Sequence, residues 1–139
     1  MNISDKQDFS AKIAISAGLV GGIGIVLGAF GAHALKPHLT EANLAVWETG
    51  VHYQLIHAVA LLALAALAKL LVGPDGQPPR QLNLAAVSWV AGVVLFSGSL
   101  YGLALGAPAV LGVVTPLGGL LFISGWGLVA AAGWRCCSK

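Results

Sequence analysis

Charge is what this chain most lacks. No Asp, Glu, Lys or Arg occurs in the 54 residues between Arg80 and Arg135, nor in the 23 between Lys12 and Lys36. The five acidic residues, Asp5, Asp8, Glu41, Glu48 and Asp75, all fall outside the long apolar runs, so there is no intramembrane carboxylate of the kind a proton-coupled carrier needs. With 9% charged residues, 58% hydrophobic residues and a mean hydropathy of +0.88, the composition excludes a water-soluble fold. A chain of this size has too little interior to hide that much apolar surface. A net charge of +2 without a basic, aromatic-interleaved patch excludes a nucleic-acid partner. The two cysteines, Cys136 and Cys137, are adjacent, which gives neither a disulfide framework nor a CxxC metal pair. The bland reading is a reduced pair at the membrane interface, and juxtamembrane acylation is the functional alternative.

The uncharged runs suit lipid. A hydrocarbon core of about 30 Å takes about 20 apolar residues as a helix, so the longer run accommodates two crossings and a turn. Four spans are expected, at about 13–33, 51–71, 83–105 and 116–134. The fold class is all-α: a four-helix transmembrane bundle in one domain, with a short amphipathic helix between the first two spans. Thr40, Glu41 and Asn43 start that helix, and Leu44, Trp47 and Val51 lie on one side of it, with Trp47 at headgroup level. The loop from Gly73 to Pro79 is the strong Pro/Gly linker. Thr115 as N-cap and Pro116 at the first helical position would open the last span.

Six of the seven cations, Lys6, Lys12, Lys69, Arg80, Arg135 and Lys139, lie on one side of a four-span protein, against Lys36 on the other. The expectation is therefore an inner (plasma) membrane protein with both termini cytoplasmic. Ala32-His33-Ala34 resembles a signal-cleavage site, but the apolar stretch before it is longer than a signal core.

Small residues recur at four-residue spacing: Gly18 and Gly22, then Gly24, Gly28 and Ala32, and later Gly98, Gly102 and Gly106. Gly24, Gly28, Gly98 and Gly102 are expected to let helix backbones approach closely, either within the bundle or between subunits. Polar residues within the spans converge on one layer. His33 ends span one, Tyr53, Gln54 and His57 occupy the first turns of span two, Ser97, Ser99 and Tyr101 lie in the outer half of span three, and Thr115 opens span four. At 100° per residue, Gly50, Tyr53, Gln54 and His57 share an inward face, with Glu48 and His52 opposite. Such groups either hydrogen-bond between helices or line a water-filled recess, because an unpaired amide or imidazole in hydrocarbon is costly. Within that recess His57 could change charge as a ligand or proton arrives.

Enzymatic chemistry has no support. HExxH, GxSxG and P-loop motifs are absent, Ser97 has no local base, and no strand precedes Gly21-Gly22-Ile23-Gly24. No cofactor is expected. His33, His52 and His57 lack a recognised metal spacing.

Four motifs in order carry a resemblance: Gly28-Ala29-Phe30-Gly31-Ala32-His33-Ala34-Leu35, then Tyr53-Gln54-Leu55-Ile56-His57-Ala58. Phe96-Ser97-Gly98-Ser99-Leu100-Tyr101 follows, and Thr115-Pro116-Leu117-Gly118-Gly119 with Gly125-Trp126 is the last. The chain resembles, from about Ala17 to Trp134, the small integral-membrane family known as domain of unknown function 423, which has bacterial YgdD-like and vertebrate transmembrane protein 256-like members. The resemblance implies a multi-pass inner- or plasma-membrane protein and no established activity. The leading expectation is a non-enzymatic membrane protein whose polar layer locks the bundle or binds a small ligand or partner. The alternatives are a small transporter or channel, oligomeric because four helices enclose little space, and a membrane-complex assembly factor. Lipid is the certain neighbour, and a homo-oligomer or another membrane protein the further one. The inner halves of the spans are apolar except for Ser88, which favours a dead-end pocket over a pore.

Overall fold

The computed structural model describes residues 3–72 and 77–137. Gly73–Gly76 of the linker, Lys139 and the side chain of Cys136 lie outside the described residues. Helix α1 spans Ile3–Phe30 and ends in a π-helical turn, Gly31–Leu35. Helix α2 spans Glu41–Leu70, and α3 spans Arg80–Gly92. A π-helical turn at Val93–Ser97 joins α3 to α4, Gly98–Ala104, and a 3-10 turn at Ala109–Val113 leads into α5, Val114–Cys137. Four helical rods, Phe9–Leu35, Glu41–Leu70, Arg80–Ala104 and Ala109–Arg135, are long and apolar enough to cross a bilayer.

Two expectations change here. The stretch after Lys36 does not form a separate amphipathic helix, because α2 begins at Glu41 and runs unbroken for 30 residues. Thr40 caps it by accepting from the Asn43 N–H at 3.2 Å, and nothing downstream breaks the helix, since Gly50 is the one glycine and no proline occurs before Leu70. Trp47 accordingly packs between α1 and α2 rather than on an exposed surface. It is 3% exposed and its indole N–H donates to the Leu27 carbonyl at 3.0 Å. Thr115 is not an N-cap either, because α5 starts at Val114 and the 3-10 turn already supplies its first helical geometry. Pro116 remains in the first turn, where its missing N–H is harmless.

The rods alternate in direction. Ser10 meets Ala65, Val20 meets Gln54 and Leu27 meets Trp47, so α1 and α2 are antiparallel. Trp89 with Phe122 and Ser99 with Thr115 set the third rod antiparallel to α5. Between these pairs, α2 packs against α4 and the π-helical turn before it. Leu61, Leu64, Leu82, Ala85, Trp89, Phe122 and Ala132 form the core. Ile15, Ile25, Val26, Val59, Val94, Leu120 and Ile123 point outward, each more than 60% exposed. Such a girdle would aggregate in water and costs nothing against acyl chains.

Because lipid is as apolar as the core, the helices are held by packing and by hydrogen bonds between rods. Trp47→Phe, which keeps the ring and deletes the bond to Leu27, should lower the unfolding free energy by about 1 kcal/mol in an SDS titration of the detergent-solubilised protein. An unchanged value would show that the indole N–H holds nothing.

Candidate functional site

The inward face of α2 carries Gly50, Gln54 and His57, all buried, while Glu48 and His52 are exposed on the opposite side. Gln54 is the hub. Its Nε2 donates to the Val20 carbonyl of α1 at 2.8 Å, and its Oε1 accepts from the Tyr101 hydroxyl of α4 at 2.8 Å. A carbonyl can only accept, which fixes the amide's orientation and leaves Oε1 for the tyrosine proton. One side chain thereby joins three rods.

Small residues make room for this clasp. A Cβ on Gly50 would come within 2.8 Å of the Tyr101 ring, and one on Gly24 within 2.8 Å of Leu55 and 3.3 Å of Gln54 Nε2. Gly28 serves the same crossing, with Val51 3.3 Å from its would-be Cβ. Tyr101 also leans on Trp47, with ring centroids 4.6 Å apart. A second link lies beside it. The Ser99 hydroxyl donates to the Phe96 carbonyl at 2.9 Å and stands 2.7 Å from the Thr115 hydroxyl, which must then be the donor between the two.

His57 stands apart from both links. Its Nδ1 lies 2.7 Å from the Tyr53 carbonyl in its own helix, so Nδ1 carries a proton. Nε2 is buried with no partner among the described residues. Every ring that meets the imidazole is uncharged: Phe122 stacks at 3.7 Å between centroids and 12° between planes, Trp89 and Trp126 stand edge-on at 5.8 and 6.3 Å, and Tyr53 lies at 6.4 Å. Ser97 is fully buried, and its hydroxyl likewise finds no partner among the described residues. No group of three or more His, Cys, Asp or Glu stands together among the described residues.

Several expected members sit elsewhere. His33 is exposed on the π-helical turn and does not join Gln54 or His57, because it lies two residues after Gly31, which faces Trp47, and so on the opposite side of the helix. Tyr53 is 40% exposed, at the lip rather than inside, with its ring against Phe96 and Phe122. Of the packing glycines, Gly102 closes against Leu111, whereas a Cβ on Gly98 would meet nothing within 4 Å. Gly98 faces away from every other rod. Gln54 follows Glu41 by 13 residues in a 30-residue helix, so it lies about 20 Å along a rod of about 45 Å, within its first half.

Sequence reasoning missed the aromatic wall of Trp89, Phe96, Phe122 and Trp126, and the bond from the Ser10 hydroxyl to the Ala65 carbonyl at 2.8 Å. The signal for the wall was present. Phe122 and Trp126 are one turn apart, and Gly92, Gly118 and Gly125 are the gaps into which Phe122, Phe96 and Trp89 fit.

Imidazole contributes little to stability here. Its one bond is to a carbonyl of its own helix, and it leaves a buried acceptor unsatisfied. His57→Phe should therefore keep or raise the unfolding free energy by up to about 1 kcal/mol in the same SDS titration. A loss of more than about 2 kcal/mol would show that Nε2 has a partner in the folded protein.

The sequence profile of the family described as "Protein of unknown function (DUF423)" matches residues 27–119. Among relatives, the UPF0382 membrane protein YwdK of Bacillus subtilis is 40% identical over 124 residues, covering 87% of this chain and 95% of that one. A UPF0382 membrane protein of Haemophilus influenzae is 43% identical over 103 residues, 73% of this chain and 77% of its own. The UPF0382 inner membrane protein YgdD of Escherichia coli is 36% identical over 125 residues, 87% and 88% of the two chains. No solved structure matches.

Proposed function

The chain belongs to the DUF423 family of multi-pass membrane proteins of unknown function, and from that membership we propose that it acts without catalysis or conduction, as a rigid membrane subunit that works through its contacts in the bilayer. The Gln54 amide carries this reading, because it spends both of its ends on other helices. Ser99 and Thr115 spend theirs on Phe96 and on each other. Groups consumed in this way hold a bundle and are not available to a substrate. Below His57 the interior is Leu61, Leu64, Ala65, Leu82 and Ala85, an apolar plug that supports a closed bundle rather than a path for ions. Reconstituted into proteoliposomes, the protein should give no ion flux above that of empty vesicles. A flux abolished by His57→Ala would replace this reading with a channel or carrier.

A second reading rests on one observation: His57 Nε2 and the Ser97 hydroxyl are buried and unpartnered among the described residues. In hydrocarbon such atoms mark functional positions by default. A small hydrogen-bond donor is the ligand that fits Nε2. A change in the imidazole NMR shift when the protein is purified from cells, lost on exhaustive detergent exchange, would favour this reading.

The proposed location is the plasma membrane with both termini in the cytoplasm. The cation distribution and the inner-membrane name of the Escherichia coli relative support it. A phosphatase fused after Lys139 should be inactive, and activity there would reverse the orientation. We also propose self-association through the face of α1 where a Cβ on Gly18 or Gly22 would meet nothing within 4 Å. Cross-linking in native membranes should give a dimer that Gly22→Ile weakens without unfolding the monomer.

A further inference from the structure

With Nδ1 of His57 turned to the Tyr53 carbonyl, Nε2 offers a lone pair that nothing among the described residues fills. It needs a donor. His57 lies 16 residues after Glu41 and 13 before Leu70, so about 20 Å or more of helix separates it from either end of α2. A ligand must therefore arrive through the bilayer. No Cα of α2 lies within 8 Å of one in α5 among the described residues, so side chains alone fill the space between these two helices. Of the rings that meet the imidazole, two are fixed. Phe122 fits the gap at Gly92, where a Cβ would come within 2.6 Å of its ring, and Trp89 donates to the Phe122 carbonyl at 3.3 Å. The other two, Tyr53 and Trp126, are 40% and 49% exposed. They form the cover that separates the imidazole from the lipid.

We propose that a membrane-soluble hydroquinone binds here, with one phenolic O–H donating to His57 Nε2 and its ring lying among Tyr53, Phe122 and Trp126. The proposal rests on the reading of Nε2 as a ligand's acceptor and names the class of that ligand. Donor chemistry selects the reduced form. A quinone carries only carbonyl and ether oxygens, which cannot donate to an acceptor. The esters of glycerolipids cannot donate either, and the hydroxyls of their headgroups stay at the membrane surface, too far from this depth. Every ring around the imidazole is uncharged, which suits a neutral ligand, and aromatic walls favour a flat one over an aliphatic alcohol. A phenol also brings the proton that a buried acceptor lacks, which removes the desolvation cost of leaving Nε2 unpaired.

Nitrogen NMR of the full chain, labelled at histidine and held in detergent micelles, tests this with decylubiquinol kept anaerobic, decylubiquinone and decanol as probes. Decylubiquinol should move the His57 Nε2 signal saturably, and decylubiquinone should leave it in place at about ten times the concentration. Native mass spectrometry reads binding without the imidazole. His57→Phe, which keeps a ring in the core, should lower retention of decylubiquinol about tenfold, to the level of the quinone. The NMR comparison decides if that variant does not fold. His52→Phe changes the exposed side of the same helix and should leave retention unchanged. Equal binding of the two redox forms, or full retention in His57→Phe, would overturn the proposal. So would a shift from decanol as large as that from decylubiquinol, an outcome that keeps Nε2 as a ligand's acceptor and removes the hydroquinone. If no probe moves the signal and exhaustive detergent exchange does not move it either, both readings fall.

Discussion

Gly118→Ala should lower the unfolding free energy by about 3 kcal/mol, among the largest effects of any single methyl added to this chain. Its Cβ would press into the Phe96 backbone, against the amide nitrogen and 2.8 Å from Cα. A side chain can turn away from such a clash, but a backbone can do so only if the whole third rod moves from α5. That separation would also loosen Trp89 against Phe122 and Ser99 against Thr115, the hydrogen bonds that join the same two rods. Gly22→Ala is the matched control. Its Cβ meets nothing within 4 Å, so its effect on the monomer should be within about 0.5 kcal/mol of zero. SDS titration of both variants in one detergent reads the difference. If Gly118→Ala proved as mild as Gly22→Ala, the close crossing at Phe96 would not exist in the folded protein.

Those two glycines also show what was legible in the sequence. Four spans followed from the scarcity of charge, since long runs without Asp, Glu, Lys or Arg have one common physical solution. The inward face of α2 followed from helical period alone, which placed Gly50, Gln54 and His57 together and Glu48 and His52 opposite. Spacing could not say which glycine stripe meets a neighbour. Gly18 and Gly22 look as much like a packing motif as Gly24 and Gly28 do, yet only the second pair faces α2.

The remaining differences have local causes. Glu48 stands on the exposed side of α2 one turn above its buried face, so an acidic residue that seems to bound the span merely lies on its outer stripe. The helix therefore extends back to its Thr40 cap, with Trp47 on its buried side. The two π-helical turns leave no mark in composition. One holds the exposed His33, and the other ends at Ser97, whose hydroxyl is buried without a partner among the described residues. One extra residue in a turn is below the resolution of any periodicity argument, although it decides which side chain faces in.

Gln54→Leu should cost about 2 to 3 kcal/mol, and about 1 kcal/mol of that cost should disappear once Tyr101 is also changed. Leucine fills much of the amide's space, so the loss is chiefly polar. Val20 loses a donor that its carbonyl can spare to the helix, whereas the Tyr101 hydroxyl, held at 2.8 Å to Oε1, is left in the interior without an acceptor. Tyr101→Phe alone should cost about 1 kcal/mol, because Gln54 keeps its bond to Val20. The double variant should be no less stable than Gln54→Leu, giving a coupling energy of about 1 kcal/mol. Strict additivity would mean that the two side chains do not meet. Such a value is modest because an unfolded helix in the membrane also finds partners for its amide and hydroxyl. The clasp therefore selects this packing over other packings of the same helices more than it holds them in the bilayer. A subunit that works by presenting fixed outer faces needs that selectivity, and its loss should appear as altered cross-linking in variants that still insert.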